Sequence, residues 1–408
     1  MIIVGGGPAG SSTAYFLAKA GVQVTLLDRA RFPRDKTCSE YMSPQASRIL
    51  EAMDVLHTVE ASGAAQLSGM RVHAPNGSTI HGEFAAGHGY QGHRDTGIAV
   101  RRTILDSILL DRAKSVGVQV VEGTRVTDVL RNERGRVVGV TTPNASNGAS
   151  EQRADLVIGA DGLRSVVGRR LDLIRASRWP RRIALVTHYS GVENLRDFGE
   201  MHVDRGGYCG VADVGNGLAN VAVVVPVSRS AEVAADKTEF LESWIAERPQ
   251  LASMFVNAIR ETPVRATGPF ASSARKAWVP GAALVGDAAD FFDPFTGEGI
   301  YTALRGGELL AEYTAGSLRE GRPDRIDQSI KAYDKARRSE FSGKWKVEKL
   351  VGTAVAFPAL INRAARVLSR RRDMADLLVG VVGDFVPARE VLRPGYLLSL
   401  LLAPTGNP

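Results

Sequence analysis

The sequence predicts an α/β fold that begins with a Rossmann-type βαβ unit, carries an inserted domain rich in β-sheet, and ends in helices. Three observations support this: a glycine-rich turn directly after an N-terminal apolar strand, alternating β-rich runs between residues 180 and 265, and an apolar strand at 282–285 that returns the chain to the first domain. We expect a discontinuous dinucleotide-binding domain of residues 1–66, 99–175 and 266–340. A substrate-binding sheet domain is expected over residues 67–98 and 176–265, and a helical C-terminal segment over residues 341–408.

The N-terminal turn has the spacing GxGxxG over Gly5 to Gly10. Gly5 permits the tight bend, Gly7 lets the backbone approach a pyrophosphate, and Gly10 lets the helix pack closely on the strand. The N-terminus of this helix then faces the anion. Asp28 ends the second strand, where its carboxylate can accept the ribose hydroxyls, which argues against a 2′-phosphate.

A second motif identifies the dinucleotide. Gly286 and Asp287 end an apolar strand, and Pro294, Gly297 and Gly299 then open a helix. The carboxylate suits the ribityl and diphosphate linker of a flavin, and the helix N-terminus suits the part of the flavin that becomes anionic on reduction. The pair of motifs predicts FAD, with an ordinary N-capped helix as the alternative.

The chain contains one complete GxGxxG turn. A second such turn, which enzymes with a resident nicotinamide would need, is not found at Gly159 to Gly162 or at Gly286. We therefore expect NAD(P)H to bind transiently as an electron donor, or electrons to arrive from another carrier.

Composition and cysteine spacing argue against several classes of protein and of binding site. The chain has 408 residues, a net charge of +7 and two cysteines, Cys38 and Cys209, without a CxxC partner. This argues against a disulfide framework or a zinc site, so we predict no metal and a cytoplasmic location. No RNP, zinc-finger or helix-turn-helix pattern accompanies the basic charge, so we predict no nucleic acid partner. The oligomeric state stays open.

The C-terminal segment interleaves Lys and Arg with apolar runs. One interpretation is an amphipathic surface that lies on the inner face of a membrane; the other is packed helices with a solvated basic face. A lipid-like or quinone-like substrate would favour the first.

The motifs GGGPAG, RFPRDKTC, VRRTILD, GADG and GDAADFFDPFTGEGIYTAL occur in this order over about residues 1–340. With them the chain resembles the geranylgeranyl reductase branch of the FAD-dependent oxidoreductases, which share the fold of p-hydroxybenzoate hydroxylase. The resemblance implies FAD contacts from the motif positions. Together with the turn residues, the predicted cofactor set is Gly5, Gly7, Pro8, Ala9, Gly10, Asp28, Arg29, Arg34, Cys38, Ser39, Arg102, Val126, Asp161, Gly162, Gly286, Asp287, Pro294, Gly297, Glu298, Gly299 and Ile300.

The resemblance also places Cys38 beside the flavin ring as the candidate catalytic residue, where its thiol could donate a proton or gate flavin motion. The alternative is a small buried apolar side chain. Two departures from the family pattern concern the substrate. Ser39 and Glu40 replace a Gly-Gly pair, and the run from Gly207 to Asp213 lacks the Trp and Phe-Pro of prenyl reductases.

We expect an FAD-dependent reductase that delivers hydride to a carbon–carbon double bond of a hydrophobic substrate of isoprenoid, quinone or polyketide type. Two alternatives are an FAD-dependent monooxygenase of an aromatic or polyketide substrate and a flavin electron-relay protein without an organic substrate.

Overall fold

The computed structural model describes residues 1–143, 148–176 and 181–403. Residues 177–180 of the predicted substrate domain and 404–408 of the predicted C-terminal segment lie outside this description. Within it, the strands are β1 Ile2–Val4, β2 Thr25–Asp28, β3 Tyr41–Met42, β4 Ala65–Leu67, β5 Gly69–His73, β6 Thr79–Glu83, β7 Gly97–Ala99, β8 Gln119–Glu122, β9 Asp128–Arg131, β10 Val137–Pro143, β11 Ala149–Arg153, β12 Val157–Gly159, β13 Ile174–Ala176, β14 Arg182–Ser190, β15 Phe198–Asp204, β16 Gly207–Asp213, β17 Leu218–Pro226, β18 Ile259–Arg260, β19 Arg265–Thr267, β20 Ser272–Ala274, β21 Trp278–Val279, β22 Ala282–Leu284 and β23 Asp290–Phe291.

The α-helices of the same residues are α1 Pro8–Lys19, α2 Ala46–Ala52, α3 Leu56–Ala61, α4 Arg102–Ser115, α5 Val166–Arg170, α6 Ser230–Ala235, α7 Lys237–Ala246, α8 Pro249–Ala252, α9 Gly299–Glu320, α10 Pro323–Ala356, α11 Pro358–Leu368, α12 Arg372–Val382, α13 Arg389–Leu392 and α14 Pro394–Leu402. The mixed α/β fold class, with its Rossmann-type unit and helical C-terminus, agrees with the sequence prediction. Helix α10 runs without a break through position 340, where we placed a domain boundary.

The first layer of the fold is a six-stranded sheet in the order β21-β22-β12-β1-β2-β8. Its strands run parallel except for β21. Because crossover helices cover such a sheet, its strands are apolar on both faces. Ile3, Leu26 and Ile158 pack with residues of α1, α4, α9 and α10, while Ile2, Val4 and Leu27 pack with the β9-β10-β11 meander and α5.

The second layer is an eight-stranded, mostly antiparallel sheet in the order β18-β14-β17-β16-β15-β5-β6, with β19 also paired to β14. Alternate residues of its strands face opposite sides. Leu185 and Val223 pack on α7 and α8, whereas Val186 and Val224 belong to the cluster formed with the C-terminal helices α11 to α14. Two smaller sheets, β3-β7-β4 and β13-β20-β23, join the layers.

None of the helices in the described part of the chain is long and apolar enough to cross a membrane.

Candidate active site

A cavity of about 570 Å³ is lined by the loops after β1, β2, β12 and β22 and by one face of the eight-stranded sheet. Twenty of the predicted cofactor residues line it: Gly5, Gly7, Pro8, Ala9, Asp28, Arg29, Arg34, Cys38, Ser39, Arg102, Val126, Asp161, Gly162, Gly286, Asp287, Pro294, Gly297, Glu298, Gly299 and Ile300. Gly10 is not among the lining residues. A Cβ on Gly10 would lie 1.8 Å from the Gly5 carbonyl oxygen, so this glycine serves the packing of α1 on the turn.

One end of the cavity is cationic. A Cβ on Gly7 would lie 3.4 Å from Arg34 Nη2 and 3.6 Å from Arg102 Nη2, so both guanidinium groups border the start of α1. Arg102 donates two hydrogen bonds to the fully buried Asp106, at 2.7 and 2.8 Å, and Arg34 Nη1 lies 3.0 Å from the same carboxylate. Two cations around one anion leave net positive charge beside a helix N-terminus, which suits a diphosphate.

Lys36 and Asp287 extend this charged end. Lys36 Nζ lies 3.2 Å from the position of a Cβ on Gly162. Burial lowers the pKa of Lys36, and Arg102 and Arg34 lower it further, while Asp287 opposes them. Burial raises the pKa of Asp287, with Lys36 and Arg102 opposing. A cofactor anion would therefore enter a region where positive charge exceeds the charge of the local carboxylates.

Two of the predicted acidic residues are fixed by neighbouring groups. Asp28 accepts hydrogen bonds from the Gly6 and Ala30 N–H groups, both at 2.7 Å, and each of its oxygens retains a second acceptor site. Asp161 accepts from the Ser165 hydroxyl at 2.6 Å and from the Val166 N–H at 2.5 Å, at the start of α5. Both side chains are held in place before any ligand binds.

The turn from Asp293 to Gly299 meets the cavity where the two layers join. Asp293 accepts hydrogen bonds from the Phe295 N–H at 3.1 Å and the Tyr208 hydroxyl at 2.7 Å, and it pairs with Arg182. Gly297 has φ +70°, and a Cβ there would lie 2.8 Å from the Tyr41 ring. The turn thus needs glycine for its conformation and for its close approach to β3.

Helix α9 begins at Gly299 without a side-chain hydrogen bond at its N-cap. A Cβ on Gly299 would lie 3.9 Å from Asp287 Oδ1, so the start of α9 lies next to that carboxylate. The first N–H groups of a helix lack partners within the helix and carry partial positive charge. They can stabilise negative charge on a group bound beside the turn.

Cys38 lies at the same cavity, half-buried, on the loop between β2 and β3. The Glu40 N–H donates to Cys38 Sγ at 3.3 Å, and Asn220 Nδ2 donates to the Cys38 carbonyl at 2.9 Å. The thiol is therefore bound within its own loop, and the backbone of that loop is tied to β17 of the eight-stranded sheet.

Glu40 lies next to the Cys38 loop, and the sequence analysis treated it only as a departure from the Gly-Gly pattern. It is 1% exposed and has φ +63°, a conformation that favours glycine. Its carboxylate accepts from the Arg102 N–H at 2.8 Å and from Asn220 Nδ2 at 3.1 Å, and it lies 2.7 Å from His188 Nε2. These contacts compensate for the strained backbone and anchor the Cys38 loop.

The far end of the cavity is apolar. Side chains of β14 to β17 face it, and Phe341 and Trp345 of α10 line it from the other side. The sheet residues in the lining are Ala184, Val186, Met201, Tyr208, Gly210, Ala222 and Val224. Burial raises the pKa of Tyr208 well above its usual range, and Asp293 adds to this effect while Arg182 opposes it. Tyr208 is therefore a neutral donor to Asp293 at physiological pH.

A histidine cluster lies outside the cavity lining. His73, Glu200 and His202 bring potential metal ligand atoms within 4.8 Å of one another. His73 Nε2 lies 2.6 Å from Glu200 Oε2, and Arg71 Nη1 lies 3.2 Å from the other Glu200 oxygen. The guanidinium offsets the carboxylate charge that a cation would need. His73 meets Glu200 and His202 only through the pairing of β5 with β15, which their separation in the sequence does not reveal.

Comparison with known proteins gives the context of this site. Residues 1–343 match the family described as "FAD binding domain". A digeranylgeranylglycerophospholipid reductase of Methanopyrus kandleri is 30% identical over 388 residues, which cover 93% of this chain and 96% of the relative. The chain belongs to the geranylgeranyl reductase-like FAD-dependent oxidoreductases.

One further sequence relative and one solved structure are similar to this flavoprotein. The menaquinone reductase of Mycolicibacterium smegmatis is 26% identical over 401 residues, covering 95% of this chain and 91% of the relative. Among solved structures, a flavin-dependent brominase superposes with a TM-score of 0.80 at 21% identity, covering 97% of each chain, which shows a common fold. The sequence-based predictions of the family, of FAD and of an oxidoreductase are confirmed.

The Glu40 network predicts a difference between two substitutions. Glu40→Ala leaves His188, Asn220 and the Arg102 N–H without their acceptor, and we expect the free energy of unfolding to fall by about 2–4 kcal/mol. Glu40→Gly loses the same contacts but relieves the backbone strain at φ +63°. We therefore expect Glu40→Gly to be about 1 kcal/mol more stable than Glu40→Ala. Urea unfolding of both variants measures the difference, and equal stabilities would contradict the strain at this position.

Proposed function

We propose that this flavoprotein reduces a carbon–carbon double bond of a hydrophobic substrate of isoprenoid or quinone type. The observation that carries the proposal is the continuity of one cavity, from the cationic end at Gly7 to an apolar chamber on the eight-stranded sheet. The digeranylgeranylglycerophospholipid and menaquinone reductases, which resemble nearly the whole chain, support the same class of substrate.

The residues present fit FAD along the cavity. Gly5, Gly7 and the start of α1 would hold the diphosphate with Arg34 and Arg102, while Asp28 would accept from the ribose. Asp287 would accept from the ribityl chain, and the start of α9 would face the flavin ring. The remaining lining members of the predicted set would complete the contacts, whereas Gly10 acts through packing. FAD supplies two-electron reduction chemistry when it is bound.

Cys38 is the candidate catalytic residue of this arrangement. Its loop is anchored to β17 and to the buried Glu40, so its thiol has a defined position at the cavity. A thiol held there can contact a substrate or a flavin in the chamber. NAD(P)H binding transiently, or a protein donor, would return electrons to the cofactor.

A peripheral contact with a membrane is the second part of the proposal. Apolar side chains are exposed on α11, on α14 and just before α11: Phe357 49%, Leu360 42%, Leu398 53%, Leu401 57% and Leu402 72%. We call these five residues the C-terminal apolar surface. Arg363 of α11 donates to the Leu400 carbonyl at 3.1 Å and so ties α11 to α14. Residues 341–408 carry ten Lys and Arg against five Asp and Glu, which favours an anionic lipid surface.

Replacement of Arg34 by Gln tests the diphosphate contact. A charge-assisted hydrogen bond contributes about 1.5–3 kcal/mol, so we expect FAD affinity to fall about 10- to 100-fold. Arg31→Gln is the matched control because Arg31 is exposed and absent from the cavity lining. FAD titration followed by flavin fluorescence measures both variants. Equal affinities would remove Arg34 from the cofactor site.

The reaction is tested with holoenzyme reduced by dithionite under anaerobic conditions. A geranylgeranyl glyceryl ether and a menaquinone with a prenyl side chain serve as probes. We expect reoxidation of the flavin and a product two hydrogen masses heavier than the probe, with the added hydrogens located in the prenyl chain by fragmentation; a quinol alone does not count as this product. A product that gains an oxygen atom from ¹⁸O₂, and only in air, would replace the reductase with a monooxygenase. Flavin reoxidation without any probe conversion would favour an electron relay.

The membrane contact is tested by sedimentation with vesicles of phosphatidylglycerol and phosphatidylcholine. Replacement of Leu398 and Leu401 by Ser removes apolar area that would enter the interface, and we expect binding to fall by at least about tenfold. Val256 and Ile259, 75% and 64% exposed, provide a control pair for the same substitutions elsewhere on the surface. Equal loss in both pairs, or no binding by the unmodified protein, would contradict the proposal.

A further inference from the structure

Two acidic residues, one buried and one half-buried, meet at the cavity, where the turn before α9 lies against α10. Glu298 ends the turn and is 4% exposed, and Glu348 lies on α10. Both side chains line the cavity, together with Tyr208 and Trp345. Neither residue was predicted to act in the chemistry, because Glu298 was assigned only a cofactor contact and Glu348 was not considered.

The two carboxyl groups share one cation: Lys344 pairs with Glu298, and Glu348 lies one helical turn after Lys344 on α10. Two carboxylates that share a site repel one another, so the second of the pair ionises less readily than an isolated glutamate. Burial raises the pKa of both groups; Lys344 opposes this, and the charge on Glu298 raises the pKa of Glu348 further. The pair therefore retains a proton to higher pH than an isolated glutamate does.

The surrounding charges explain why the proton stays. Lys344 Nζ lies 3.2 Å from Glu298 Oε2, but Lys344 also pairs with the buried Asp384. One ammonium group thus serves three carboxyl groups. Asp293 adds negative charge near Glu348, and Tyr41 faces Glu298 from β3 as a neutral phenol. The described neighbours thus supply too little positive charge to ionise both glutamates.

We propose that the Glu298–Glu348 pair is the proton donor for reduction of the substrate double bond. This rests on the proposed function. Reduction of a carbon–carbon double bond adds a hydride to one carbon and a proton to the other. Reduced FAD, when bound, would supply the hydride and its two electrons, and the carboxyl pair would give up its proton to the second carbon. The pair then carries two negative charges beside Lys344 until a proton from water restores it.

The position of the pair fits this task. It lies at the junction of the apolar chamber and the turn that would face the flavin ring, so a substrate in the chamber would contact both. A thiol at Cys38 lies on a different loop of the same cavity. The pair is thus an acid that retains its proton to higher pH than an isolated glutamate, and Cys38 is free to position the substrate or the flavin.

The first test is infrared spectroscopy of the holoenzyme during a pH titration. We expect a protonated carboxyl band at neutral pH that disappears as pH rises and that is absent in Glu348→Gln. Glu340→Gln is the matched control, because Glu340 lies on the same helix, is exposed and pairs with Arg305 outside the cavity. An unchanged band in Glu348→Gln, or no such band in the unmodified protein, would overturn the proposal.

The second test is a single turnover of dithionite-reduced holoenzyme with the two prenyl probes. We expect Glu348→Gln to lower the rate of probe reduction about 100-fold or more, to abolish the solvent deuterium isotope effect, and to retain FAD affinity. Glu348→Asp should restore part of the rate, and Glu340→Gln should match the unmodified protein. Because the donor must be protonated, the rate should fall as pH rises through the raised pKa.

The outcomes separate this inference from the proposed function. If the unmodified protein reduces neither probe, the proposed function fails and the inference fails with it. If the unmodified protein reduces a probe and Glu348→Gln does so at the same rate with the same isotope effect, only the proton donor is wrong. If Glu348→Gln loses the rate but keeps the pH profile of the unmodified protein, Glu348 serves only the structure of the site, and the inference is also overturned.

Discussion

The parallel pairing of β1 with β12, and of β12 with β22, is the constraint on which the site depends. These strands are separated by more than 100 residues along the chain, yet their carboxyl ends meet at one edge of the sheet. The turns after them bring Gly5, Asp161 and Asp287 to one cavity. The turns are also in contact: a Cβ on Gly5 would lie 2.5 Å from the Ala160 oxygen, and one on Gly286 would lie 2.9 Å from the Ala9 Cβ. Small residues are required where three turns converge.

The sequence predicted the parts of this site that local chemistry specifies. Glycine spacing, a carboxylate at the end of a strand and a proline-glycine turn before a helix each have a direct structural meaning, so Gly7, Asp28 and Gly299 could be placed without coordinates. Glu40, Tyr208 and Glu348 could not, because each acquires its role from partners distant in sequence. Glu348 becomes part of an acid pair only because α10 crosses the turn that ends at Glu298.

The departures from the family pattern have a physical explanation in the structure. Glu40 occupies a conformation that glycine adopts without strain, and three hydrogen-bonding partners hold it there. Tyr208 lies in the run that lacks the Trp and Phe-Pro of prenyl reductases, and its hydroxyl is directed to Asp293. The chain thus replaces residues of that pattern with polar groups that connect the eight-stranded sheet to the loops that line the cavity.

Asp293 connects the eight-stranded sheet to the turn before α9. Its carboxylate is bound at once by Arg182 of β14, by Tyr208 of β16 and by the backbone of the turn that leads into α9. A ligand in the chamber that displaces Tyr208 would also disturb this turn, and with it the start of α9, which under the proposed function would face the flavin. Occupancy of the chamber and the reduction potential of a bound flavin would then be linked: substrate would shift the redox equilibrium by the same factor by which reduction shifts the affinity for substrate.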